Sequence, residues 1–283
     1  MQFHKTTSEI FVPDGLPVTE ALARTTHLGI SAHQDDIEIM AMAGILECFG
    51  KAEKWFSAVI VSDGAGSPRD GLYGRYSDAE MMTVRRQEQK KAAYVGEYGA
   101  QVFFDYPSRE IKSAAEAGPR EDIQALVLAC RPEVVYTHNI CDKHDTHVGV
   151  ALRTIAALRA LPAEARPKKL YGCEVWRDLD WMDDGDKVVM NCDGHENIAA
   201  SLVGVFDSQI AGGKRYDLAT MGRRRAHATY HQSHSVDAAQ NINFGMDLTP
   251  LLADASLDPL EFALAHIGRF ADDVKARLAK LSS

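Results

Sequence analysis

The chain has 283 residues, 46% of them hydrophobic and 25% charged, enough to bury a substantial core. Its formal net charge is −9 with no Lys/Arg-rich block, which excludes the electrostatic footprint of a nucleic-acid binder. No stretch reaches the roughly 20 apolar residues that span a bilayer, and Met1-Gln-Phe-His-Lys5 lacks the start of a signal peptide, so a cytoplasmic location is expected.

In chain order, short apolar or β-branched runs predict strands at about 27–33, 55–62, 101–106 and 134–138, with a fifth near 168–176. Segments of helical period lie between them at about 36–49, 78–97, 120–130 and 147–160. On the first of these, Ile37, Met40, Ala41, Ile45 and Leu46 share one face. Pro162 and Pro167 punctuate the entry to the fifth strand, and Asp183-Asp-Gly-Asp186 reads as a turn between extended segments. Further helices are predicted at 196–209, 213–230 and 259–281, with a long polar loop around 232–247.

This alternation predicts a Rossmann-like, doubly wound, mostly parallel α/β sheet with helices on both faces. We read a single domain over 1–283, with a core at about 25–180 and a C-terminal helical extension at about 181–283. The five cysteines are odd in number, scattered and without a Cys-x-x-Cys pair, so they read as reduced thiols. Cys141 lies near a histidine cluster, but imidazole and carboxylate donors already suffice there.

In a doubly wound sheet the first and fourth strands are neighbours at the point where strand order reverses, and ligands collect beyond their carboxyl ends. His33, Asp35 and Asp36 follow the first strand, and His144-Asp-Thr-His147 follows the fourth. Two imidazoles and one carboxylate suffice to hold Zn²⁺ with an open position, leaving a carboxylate and an imidazole to act beside it. Adjacent Asp35 and Asp36 must diverge, so one can ligate while the other faces the bound water. His144 and His147 divide in the same way. Taken singly, Asp35, Asp36, Asp145 or Thr146 could instead cap a helix; two clusters converging on one crevice favour a metal site.

The chain resembles the PIG-L or LmbE-like zinc-dependent N-deacetylases. Their Ala-His-Pro-Asp-Asp stands here as Ala32-His33-Gln34-Asp35-Asp36, and their His-Pro-Asp-His as His144-Asp145-Thr146-His147. Ser62-Asp63-Gly64 and Arg85-Arg-Gln-Glu88 extend the resemblance across about 27–160. It implies that His33, Asp36 and His147 ligate zinc, or another divalent transition metal, that Asp35 is the general base, and that a protonated His144 stabilises the oxyanion. Gln34 in place of proline, and Asp145-Thr146 in place of Pro-Asp, depart from the family pattern.

On the substrate side, the glycine-rich loop after the second strand (64–77) reads as a rim over the metal, with Asp63, Arg69 and Arg75 as sugar contacts. Arg85 is expected near the metal with Glu88 as its partner, and Trp176 and Arg177 as a pocket wall. In the Arg/His run 223–234, Ala226-His-Ala-Thr-Tyr230 resembles a variant of the family's His-x-Ser-Gln. This makes His227 a pocket residue, while His231, His234 and Arg223 to Arg225 read as surface or subunit contact. His4, His27, His138 and His266 read as packing or surface.

The leading expectation is a zinc-dependent hydrolase that removes the N-acetyl group from an N-acetylglucosamine-type sugar or conjugate. The alternatives are a metal-dependent amidase on a non-sugar amide and a non-catalytic sugar- or nucleotide-binding protein. The expected partner is a small N-acetylated sugar or amide, and the late helices leave room for a homo-oligomer.

Overall fold

Every residue of three successive strands is buried and most are apolar, a pattern that only a sheet covered on both faces can satisfy. The computed structural model describes residues 1–282 and builds one sheet from β1 (Glu9–Phe11), β2 (His27–Ser31), β3 (Phe56–Ser62), β4 (Gln101–Tyr106), β5 (Val134–His138), β6 (Lys169–Cys173), β7 (Lys187–Asn191) and β8 (Ile242–Asp247). Their spatial order is β1-β4-β3-β2-β5-β6-β8-β7. The middle, from β4 to β6, is parallel, and the antiparallel pairings lie at the two edges. This is the expected mostly parallel α/β class.

Side chains alternate across the sheet. Val59 and Val61 join Leu28, Ile30, Val102 and Phe104 in one core layer, beneath Ile123, Leu126, Val150 and Ile155 of α6 (Gly118–Cys130) and α7 (Asp145–Arg159). Ala58 and Ile60 face the other layer, with Ile37, Met40 and Ile45 of α2 (Asp36–Met40) and α3 (Met42–Cys48). The remaining helices are α1 (Val18–Ala23), α4 (Asp78–Val95), α5 (Ser108–Lys112), α8 (Glu196–Gly204), α9 (Asp207–Ile210), α10 (Tyr216–Tyr230), α11 (Pro250–Ala253) and α12 (Pro259–Leu281). Ser77 and Glu80 start α4 with a reciprocal capping box.

β1, α1 and α5 are elements that the sequence reading did not place, and three of those it did place differ. The single helix expected at 36–49 breaks at Ala41, and that expected at 196–209 breaks around Val205 and Phe206. The loop expected at 232–247 ends in β8, which slots between β6 and β7, so the C-terminal extension combines its helices with two strands, β7 and β8. Asn243 makes β8 look polar, yet it is buried: its Oδ1 accepts from Arg224 Nε at 2.9 Å and its Nδ2 donates to the Ile39 carbonyl at 2.9 Å.

The order reverses at β2, which lies between β3 and β5. That is the crevice where both histidine clusters end up.

Candidate metal centre

Asp35 takes a left-handed backbone (φ 91°) just before α2, a conformation uncommon outside glycine. The turn sends Asp36 and His33 to the same point, where the Asp36 carboxylate also accepts from the His33 backbone N–H at 2.7 Å. His147, in the first turn of α7, arrives from the far side of the β2/β5 boundary. His33 Nδ1 and His147 Nε2 are 3.2 Å apart, and they stand 3.3 and 3.4 Å from the same Asp36 Oδ2. Donors held tetrahedrally at zinc distances of about 2.0–2.1 Å are separated by about 3.3–3.4 Å. The three side chains therefore fit a divalent cation as they stand.

Two further groups bear on this cluster. His138 Nε2 lies 3.5 Å from Asp36 Oδ2, but it already accepts from the Ala32 N–H at 2.9 Å, so its lone pair is spent. Asp142 Oδ2 accepts from the Trp176 N–H at 3.2 Å and sits 3.3 Å from His147 Nδ1, on the opposite edge of the ring from Asp36. That contact fixes the proton of His147 on Nδ1 and leaves Nε2 free to ligate, the usual support for a metal-bound imidazole. Sequence reasoning missed Asp142 and placed His138 among packing residues. Asp142 carried a weak signal, an acid two residues before His144 in a turn after a strand end.

Charge is distributed unevenly. Burial alone would raise the Asp36 carboxyl, but His147, His138 and His33 outweigh it and hold the group well below the usual carboxylate range. Burial drives Asp35 the other way, well above that range, against the opposing pull of Arg85, whose Nη2 lies 3.5 Å from Asp35 Oδ2. His144 is pushed down to about 4 by burial and by the neighbouring His147 and His33, so its imidazole is neutral at rest. Its Nδ1 is buried with no hydrogen-bond partner among the described residues.

A cleft of about 340 Å³ opens above these residues. His33, Asp35, Asp36, Arg85 and His144 line it, with Trp176 and Tyr216 as an aromatic wall and Ser67, Ser108, Lys112, Thr146 and Gln209 as polar lining. Arg85 is buried, donating to Ser67 Oγ at 2.8 Å and to the Gln34 carbonyl. Glu88 is not its partner; it accepts from the N–H and hydroxyl of Ser208 at 2.7 and 2.6 Å and so ties α4 to α9.

Several residues expected at the substrate lie elsewhere. Asp63 Oδ1 is taken by the Ala65 N–H at 3.1 Å, and Arg69 is spent inside its own loop on the Ala65 and Tyr76 carbonyls and on Asp78. Arg75 and Arg177 are exposed and do not line the cleft. His227 is buried behind the wall, 3.0 Å from Glu174 and stacked on Phe244 at 4.1 Å. Arg224, expected on a surface, is 1% exposed and donates to the Glu38 and Ile39 carbonyls as well as to Asn243. Gln34, at the position of the family's proline, packs its amide where a Cβ on Gly64 (φ +78°) would come within 2.7 Å.

Among the described residues, no helix is long and apolar enough to cross a membrane. The fold is shared with solved structures of low identity. The N,N'-diacetylchitobiose deacetylase of Pyrococcus horikoshii aligns at TM-score 0.63 and 14% identity over 82% of this chain and 86% of that one. A deacetylase of teicoplanin biosynthesis aligns at 0.57 and 15% over 78% and 97%. The 4-carboxy-2-hydroxymuconate hydratase of Pseudomonas putida KT2440 aligns at 0.59 and 17% over 79% and 95%. No curated protein matches the chain in sequence. Residues 28–158 match the family model described as PIG-L: GlcNAc-PI de-N-acetylase, a span that contains every residue of the cation cluster. That segment, a little under half of the chain, carries the similarity to the PIG-L family, whose described class is that of an N-deacetylase hydrolase.

Proposed function

We propose that the protein removes the N-acetyl group from an N-acetylglucosamine-type sugar or conjugate, with zinc, or another divalent transition metal, held by His33, Asp36 and His147. A hydratase shares the fold, so the site and not the architecture bears on the reaction. The observation that carries it is the convergence of three donor atoms within 3.4 Å at the floor of a cleft.

A cation in that position would polarise the acetamide carbonyl and acidify a water molecule. The protein's own groups do the rest. Asp35, beside Asp36 and held by Arg85, accepts a proton from the attacking water and returns it to the departing amine. His144 donates its imidazole N–H toward the acetyl oxygen as negative charge develops there. Burial and the neighbouring His147 and His33 depress its basicity, which supports a neutral ring as the donor at rest, where the family resemblance implies a protonated one. Trp176 and Tyr216 give an apolar face on which a sugar ring can lie.

Metal content and acetate release from N-acetylglucosamine, measured on the same preparation, test this. Metal with chelator-sensitive acetate release is the expected result. Metal without release would move the reading to a non-sugar amide, and the absence of both would leave a binding protein.

A further inference from the structure

Helix α12 holds to the body by one face only. Phe262 packs on the core, His266 and Ala263 are buried, and Arg269 Nε reaches Asp186 at 2.5 Å. On another face Leu260, Leu264, Ile267, Ala271, Val274, Leu278 and Leu281 recur at alternating intervals of four and three, the a/d spacing of a coiled-coil seam. The six large members of this row are 39–82% exposed, as is Phe270 beside it at 43%. A contiguous apolar stripe of this kind marks an interaction surface.

We infer that α12 pairs with α12 of a second copy of this chain in an antiparallel two-helix seam. The row is self-complementary in one register: Leu264 meets Val274 of the second copy, Ala271 meets Ile267, and Leu278 meets Leu260. Small Ala271 at the centre leaves room for Phe270, which falls beside its own counterpart near the two-fold axis, as an isologous interface requires. Charge selects the same direction. Glu261, which makes no ion pair among the described residues, comes opposite Lys275 of the second copy, a group that in one chain reaches only the exposed Asp272 at 3.1 Å. A parallel pair would instead bring the basic segment Lys275 to Arg277 against its own copy. A bilayer is the poorer occupant, because Asp272 and Asp273 flank the stripe and the chain carries net −9.

Sedimentation of the full chain at tens of micromolar is expected to give twice the 31.1 kDa chain mass. Leu264→Asp combined with Leu278→Asp is expected to return it to one chain mass without lowering the thermal melting point of the body. Glu261→Lys and Lys275→Glu, made singly, each weaken the dimer several-fold, and the two together restore it. A monomeric wild type, a dimer indifferent to these substitutions, or α12-dependent binding to phosphatidylglycerol vesicles with no dimer overturns the inference.

Discussion

Asp142 stands 3.3 Å from His147 Nδ1 while Asp36 stands 3.4 Å from His147 Nε2, so one imidazole is clamped between two carboxylates of different duty. Asp142 fixes the tautomer, and on the proposed function Asp36 is the one that would share the cation. Replacing Asp142 with Asn should weaken metal affinity about 10–100-fold, as the loss of such a supporting partner does elsewhere. Competition against a chromogenic chelator checks this, and an unchanged affinity would remove Asp142 from that role.

The cluster itself sets a stability signature. A cation that binds the folded chain at a thousandfold excess over its Kd should stabilise it by about 4 kcal/mol. Asp36→Asn and His147→Ala should each abolish the melting-point rise on adding zinc, measured by differential scanning fluorimetry.

Asp35 should separate chemistry from binding. In Asp35→Asn, metal content should match wild type while turnover falls by about 10²–10⁴, the usual contribution of a positioned acid or base. Loss of metal along with activity would assign Asp35 to the ligand set instead.

The burial of Arg224 makes an unequal pair with its exposed neighbour. Arg224→Ala takes the guanidinium from the buried Asn243 Oδ1 and Glu38 carbonyl, and leaves the Ile39 carbonyl to Asn243 alone, and should cost roughly 3 kcal/mol or more. Arg225→Ala, on the exposed side of α10, should stay within about 0.5 kcal/mol. Urea denaturation of the two variants compares them directly.

Away from the cleft, Glu9 fastens β1 to α4 through Lys90 at 2.5 Å and Arg86 at 2.9 Å. Burial raises its carboxyl, but the two cations outweigh burial and hold it below the ordinary value of 4.5. The stabilisation is therefore complete above that value and fades as pH falls through the lower, folded value. In Glu9→Gln, the acid limb of the stability profile should flatten in that window, read by chemical denaturation between neutral and acid pH.

Much of this was legible in the sequence for a physical reason. His33, Asp36 and His147 follow strands whose apolar runs are unmistakable, and the reversal of strand order beside β2 brings strand ends together whatever the loops do. What stayed hidden depended on partners remote in the chain. Asn243 looks like a loop residue until Arg224 and the Ile39 carbonyl satisfy its amide. Asp142 looks like turn chemistry until His147 arrives, and His138 looks like packing until the Ala32 N–H is found on its ring. Arg69 and Arg75 showed the converse: charge and glycine marked a loop correctly, but the loop spends Arg69 on itself.

The insertion of β8 between β6 and β7 orders events during synthesis. The cation cluster is complete once residue 147 has emerged, yet the strand that buttresses Arg224 and Glu174, behind the aromatic wall, arrives about a hundred residues later. On the proposed function, the three ligands are thus all synthesised well before the strand that braces the wall of the substrate cleft.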